Sequence, residues 1–217
     1  MTTAPHPASY PNDRRRSFLK GLGGLAAAPA LAAVLVSGDL YVNNAFGLAL
    51  RKPSGWGFEH LRTFADLRNE YEFATPSQEV SELLKAGPLP LMVASQAPLL
   101  RNLAASLTLY AEDNSLDEGQ SLMQASPDIM RALGMLLADF RVTTAPHPVD
   151  VPGAEAIEYI ASFTYRDRLG HQGPARNRGL LLLRAPHLFT LNMFDLPADR
   201  IVAQKEFDEV RASVVFA

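Results

Sequence analysis

Beyond His6, the chain carries four histidines, His60, His147, His171 and His187, and it has no cysteine. Imidazole is therefore its softest metal ligand, and thiolate copper sites, iron–sulfur clusters and disulfides are unavailable. The histidines show neither H-x-H nor H-E-x-x-H spacing, so a metal site would have to gather ligands from distant segments. Oxygen ligands recur in Asp113-Asn114-Ser115-Leu116-Asp117-Glu118-Gly119, at the alternate positions a calcium loop uses. The stretch departs from the EF-hand order: Glu118 stands where Gly is needed, and the twelfth position is Gln124 in place of a bidentate Glu. It reads as a solvated acidic turn. Nucleophilic catalysis has no marker, because G-x-S-x-G is absent and Ser54-Gly55 belongs to a turn. Phosphate-binding G-x-G-x-x-G or Walker loops are absent too. No catalytic residue, metal ligand or cofactor is expected.

Two stretches stand out as binding surfaces. Arg166 and Arg168, with His171, Arg176 and Arg178, gather basic groups around a Gly-rich, polar reversal at residues 170–179. Arginines there would suit carboxylates or phosphates on a partner protein or a lipid headgroup. The plainer alternative is a solvated reversal. The second stretch, residues 89–100, is apolar and interrupted by Pro90 and Pro98. It fits a buried strand, or a flap over a pocket for a hydrophobic ligand.

The N-terminal region supplies an address. Arg15-Arg16-Ser17-Phe18-Leu19-Lys20 precedes a Gly, Ala, Leu and Val segment that runs to Gly38. Gly21, Gly23, Gly24 and Pro29 make that segment a poor membrane-spanning helix. A basic start, a mildly apolar middle and small residues after it are the layout of an export signal. Paired arginines before x-Phe-Leu-Lys resemble the bacterial twin-arginine signal, and Arg15, Arg16, Phe18, Leu19 and Lys20 match it. Ala30-Leu31-Ala32 and Val36-Ser37-Gly38 offer cleavage sites, and an uncleaved form would stay anchored to the membrane. The reading is an export segment at residues 1–38 and a single globular domain at 39–217, delivered to the periplasm or another extracytoplasmic space. Setting aside the four bases and one acid of the first 38 residues, from 20 Lys+Arg and 23 Asp+Glu, leaves a net charge of −6 with His neutral. A domain this acidic argues against nucleic acid as partner.

The elements that must position any site read as strands with a few helices. Asn44-Ala45-Phe46 separates two short strand signals, and residues 53–57 stop the second. Phe58, Leu61, Phe64 and Leu67 recur at helical spacing. Thr75-Pro76-Ser77-Gln78 and Ser126-Pro127 each read as a helix start. Residues 155–165 alternate strictly, and Leu180-Leu181-Leu182-Leu183 is apolar on both faces, as a covered central strand requires. Phe207, Val210, Val214 and Val215 predict a closing helix. The hexapeptide Thr-Thr-Ala-Pro-His-Pro occurs at residues 2–7 and 143–148 with unrelated flanks, which reads as coincidence, the second copy lying in a loop. Hairpin-length connections predict an α+β fold, a mainly antiparallel sheet between helices in an α/β/α sandwich.

The run Tyr41-Val42-Asn43-Asn44-Ala45-Phe46-Gly47-Leu48-Ala49-Leu50-Arg51-Lys52-Pro53-Ser54-Gly55-Trp56 resembles the opening of PsbP-like domains, a hairpin that runs into Pro-x-Gly-Trp. The later order of elements, with a Gly-rich loop, a strand at residues 178–183, a further strand and a final helix carrying Phe207, is similar as well. This resemblance implies an antiparallel sheet sandwiched by helices and a non-catalytic role assisting an envelope or membrane complex through a protein partner. It also implies that Pro53, Gly55 and Trp56 are turn and core residues. A carrier of a hydrophobic or lipid-like ligand is the alternative, and a hydrolase or metal enzyme with a dispersed site the third reading.

Overall fold

In the computed structural model, which describes residues 34–70, 78, 82, 86–97, 105–166, 172–196 and 200–217, the hairpin around Asn44 forms as expected. Strand β2 (Leu40–Asn43) pairs antiparallel with β3 (Leu48–Arg51) from Leu40↔Arg51 to Asn43↔Leu48. Gly47 closes the turn at a φ of 61°, a left-handed conformation that glycine adopts without a steric penalty. The pair widens into a four-stranded sheet, β1-β2-β3-β11, through Val34–Ser37 (β1) and Val215–Phe216 (β11). Residues 34–37, which fall within the expected export segment, pair along their whole length with β2. Val215, placed in the closing helix, instead pairs with Ala49.

The larger sheet is antiparallel in the order β4-β5-β6-β10-β9-β8-β7. Its strands are Gly57–Phe58 (β4), Met92–Ser95 (β5), Ser106–Asp113 (β6), Arg141–Pro148 (β7), Glu155–Arg166 (β8), Gln172–Arg184 (β9) and His187–Asp195 (β10). The four leucines sit, as expected, on a strand with a neighbour on each side, near the C-terminal end of β9. The second Thr-Thr-Ala-Pro-His-Pro is no loop. It forms β7 at the sheet edge, where a missing proline N–H is tolerated, and its register shifts twice against β8. The polar reversal is shorter than expected as well, since β9 pairs with β8 from Gln172↔Arg166 onward. Met92–Ser95 is the buried strand foreseen within residues 89–100.

Helices α1 (Leu61–Glu70), α2 (Leu122–Leu136) and α3 (Arg200–Ser213) complete the described elements. Of the helix expected from Thr75, Gln78, Glu82 and Ala86 are helical and the remainder lies outside the described residues. Helix α2 starts one turn before Ser126-Pro127. Ser121 and Gln124 close a capping box, each side chain accepting the other's backbone N–H at 3.2 and 2.9 Å. Pro127 therefore falls inside the helix, where its ring nitrogen leaves the Met123 carbonyl without its usual donor. The Ser126 hydroxyl donates to that carbonyl at 3.0 Å and takes the donor's place.

Two cores flank the larger sheet. One lies between its first face, the small sheet and α3, with Tyr41, Leu48, Leu50, Trp56, Leu107, Leu180, Leu182, Phe189, Ala203 and Phe207. The other packs Leu122, Ala125 and Ile129 of α2 on Ile157, Tyr159, Ala161, Leu181 and Leu188 of the second face. The indole N–H of Trp56 reaches Glu206 of α3 at 3.3 Å while its ring meets Phe207 edge-on, so the Pro-x-Gly-Trp segment is indeed turn and core.

Candidate functional site

Of the five basic candidates, Arg166 closes β8, and Arg168 and His171 lie outside the described residues. Arg176 and Arg178 are brought together on the first face of β9, away from the reversal and inside ion pairs. Arg176 grips the carboxylate of Asp195, its cross-strand partner, through Nε at 2.8 Å and through Nη2. Asp195 is fully enclosed. Arg178, 6 % exposed, bonds Glu158 of β8 at 2.9 Å and Asp208 of α3 at 2.7 Å. Arg211 of α3 reaches the other oxygen of Glu158 at 3.4 Å. Burial by itself would lower the Arg178 guanidinium, but the two carboxylates outweigh it and hold it above its ordinary value. Its Nε and Nη1 find no acceptor. Arg178 therefore ties α3 to the sheet, while Arg176 fastens β9 to β10. Glu158, Asp195, Asp208 and Arg211 were absent from the sequence reading. The available signal was Glu158 itself, an acid within a strand flanked by apolar residues.

The second face carries a row of buried polar side chains across adjacent strands. Asn177 donates to the Tyr159 hydroxyl at 3.2 Å and to Asn192 Oδ1 at 3.0 Å, and Asn192 pairs across the sheet with Thr108. Gly179 makes room for this row: a β-carbon there would lie 2.2 Å from the Tyr159 ring. Thr108 Oγ1 and Asn177 Oδ1 have no hydrogen-bond partner among the described residues. Burial pushes the Tyr159 hydroxyl far up, and farther along the same face it pushes Glu112 up to about 7.

His60 is exposed and His147 and His187 are half-buried, and among the described residues no three His, Asp or Glu side chains gather as metal ligands. Residues 113–119 form a turn in which Asn114 Oδ1 accepts the N–H of Leu116, an acidic loop organised by its own backbone. His187 instead lines a cleft of about 320 Å³ with Phe46, Arg184, Pro186 and Phe189, against Gly47 and Ala217. Among the described residues no helix is long and apolar enough to cross a membrane.

No known family profile matches the sequence, and none of the curated proteins does. Solved structures do. The solution structure of cyanobacterial PsbP (CyanoP) from Synechocystis sp. PCC 6803 superposes with a TM-score of 0.53 at 11 % identity, over 84 % of this chain and 95 % of that one. The fold is PsbP-like. The crystal structure of LpqN, involved in cell envelope biogenesis of Mycobacterium tuberculosis, is similar over 78 % of this chain and 83 % of that one, at 12 % identity and a TM-score of 0.46.

Proposed function

We propose that this chain is a non-catalytic accessory protein, exported folded by the twin-arginine route, which assists an envelope or membrane complex by binding a protein partner. The observation that carries this reading is the PsbP-like fold spanning 84 % of the chain. The twin-arginine run at residues 15–20 supports the compartment, since that route moves proteins that have already folded. The charge supports a protein contact over nucleic acid.

A second reading, a carrier of a hydrophobic or lipid-like ligand, draws on the polar row of the second face. Thr108 Oγ1 and Asn177 Oδ1 are buried without hydrogen-bond partners among the described residues, and a ligand's polar end would satisfy them. Native mass spectrometry of the protein exported through its own signal separates the two. The accessory reading expects the bare polypeptide mass and a stoichiometric complex with a membrane-complex subunit after in-cell crosslinking. A stoichiometric organic mass lost on denaturation would overturn it in favour of the carrier. Retention of the Arg15→Lys/Arg16→Lys variant in the cytoplasm is expected, and its unimpaired export would sink the twin-arginine assignment.

A further inference from the structure

The cleft around Arg184 joins a cation to an aromatic wall. Phe46 meets the His187 ring edge-on at a centroid distance of 5.0 Å and Phe189 at 5.3 Å. Phe189 in turn packs on Phe216 at 5.1 Å. Phe46 and His187, with the enclosed Phe189 behind them, line a cleft of about 320 Å³ together with Arg184. The Arg184 guanidinium lies 5.4 Å over the Phe216 ring and donates through Nη2 to the Ala217 carbonyl. That is its one hydrogen bond among the described residues, so most of its N–H donors are uncommitted. His187 Nδ1 faces outward, 3.6 Å from the exposed carboxylate of Asp113.

The segments that build this cleft are rigidly placed. Ala45 and Phe46 sit in the β2–β3 turn, which Asn43 braces by accepting the Ala45 N–H at 3.1 Å. Arg184 and His187 face each other across the two-residue turn between β9 and β10, and Asn114 N–H ties that turn down at Pro186 O, 2.8 Å away. The Ala217 N–H bonds Gly47 O at 2.8 Å, which holds the third wall. A β-carbon at Gly47 would lie 3.2 Å from Ala217 O, so this wall closes against a glycine. The rings and the cation are therefore preorganised, which reduces the ordering cost of binding.

We propose that this cleft binds a small aromatic carboxylate, its ring against Phe46 and His187 and its carboxylate on Arg184. Ligand pockets start at roughly 300 Å³, so the volume of this one matches a single ring and a short acid arm. Guanidinium is the cation suited to this role because it offers a planar fork of donors to a carboxylate. The inference goes beyond the accessory reading and stands without it.

The test is titration of the isotopically labelled full chain with phenylacetate and with its neutral isostere phenylacetamide, followed by amide NMR. Phenylacetate is expected to shift the amides of residues 45–47 and 184–189 saturably, and phenylacetamide to leave them in place. Arg184→Gln should weaken binding by about tenfold or more, as loss of a charged hydrogen-bond donor does. Phe46→Ala keeps the cation and should weaken binding by a similar factor, which decides the matter if Arg184→Gln does not fold. Absence of saturable shifts, equal binding of acid and amide, or full affinity in Phe46→Ala would overturn the proposal. Tighter binding of a tripeptide ending in Phe than of phenylacetate would overturn the small-acid assignment.

Discussion

Glu158→Gln tests whether the ion network is what fastens α3. The carboxylate is 3 % exposed and serves Arg178 at 2.9 Å and Arg211 at 3.4 Å. The amide keeps the shape and one acceptor oxygen but leaves Arg178 with a single counter-charge, the half-exposed Asp208. Removing one partner from a buried pair costs about 3–5 kcal/mol, and the surviving Asp208 contact places this case near the lower end, at about 3. With a urea slope of about 2 kcal/mol/M for a domain of this size, the unfolding midpoint should fall by about 1.5 M. The double change Glu158→Leu with Arg178→Met replaces the pair by apolar volume and removes the two guanidinium donors that have no acceptor. It should return to within about 1 kcal/mol of the parent, because well-packed apolar residues commonly replace buried pairs at little cost. The readout is a double-mutant cycle from urea denaturation followed by far-UV circular dichroism. A loss under about 1 kcal/mol in Glu158→Gln, or a double variant as unstable as the sum of its singles, would refute the reasoning.

Three further outcomes follow from single contacts. Gly179→Ala drives a methyl into the Tyr159 ring, 2.2 Å away, and should cost about 3 kcal/mol, whereas Gly57→Ala, open on all sides, should cost under about 0.5 kcal/mol; matched thermal melts of the two decide it. Glu112, pushed up to about 7 by burial, binds its proton more tightly when folded. Its contribution to stability is thus present below about pH 4.5 and lost as pH rises through about 7, and Glu112→Gln should flatten that fall by an amount on the order of 2 kcal/mol; identical pH slopes for the two proteins would contradict it. Because Val34–Ser37 pairs with β2, cleavage of the exported protein should follow Ala32 and spare β1. N-terminal sequencing that begins at Asp39 would show that the working protein dispenses with that strand.

The legible part of the fold was periodic. Residues 155–165 alternate and Leu180-Leu181-Leu182-Leu183 does not, and they became an inner strand and its doubly covered neighbour, because burial acts on every residue of a strand in turn. What escaped was punctuation with a tertiary answer. Pro127 read as a helix start since proline favours that place, yet the Ser126 hydroxyl serves the carbonyl that proline abandons and lets the helix begin a turn earlier. Pro146 and Pro148 read as loop, yet the hexapeptide occupies the one long strand of the larger sheet that lies at an edge. The basic cluster failed differently. Composition counted Arg176 and Arg178 with Arg166 and Arg168, but even positions of β9 face the core that includes α3, so these two went to Asp195, Glu158 and Asp208. A charge count cannot anticipate that, because the acids lie on three other elements.

The cleft illustrates the same limit from the other direction. Its walls come from a hairpin turn at residue 46, a second turn at 184–187 and the strand end at 217, and none of these stretches has a motif of its own. They converge because β11 pairs with β3 while β10 pairs with β9, which places two chain reversals and a strand end beside one another. A PsbP-like scaffold can alter such reversals without disturbing its cores, since Phe46 and Arg184 are only partly buried while Leu48, Leu182 and Phe189 behind them are enclosed. Specificity in this chain should therefore lie at turns of this kind, and not at the buried Arg178, which is committed to holding α3 on the sheet.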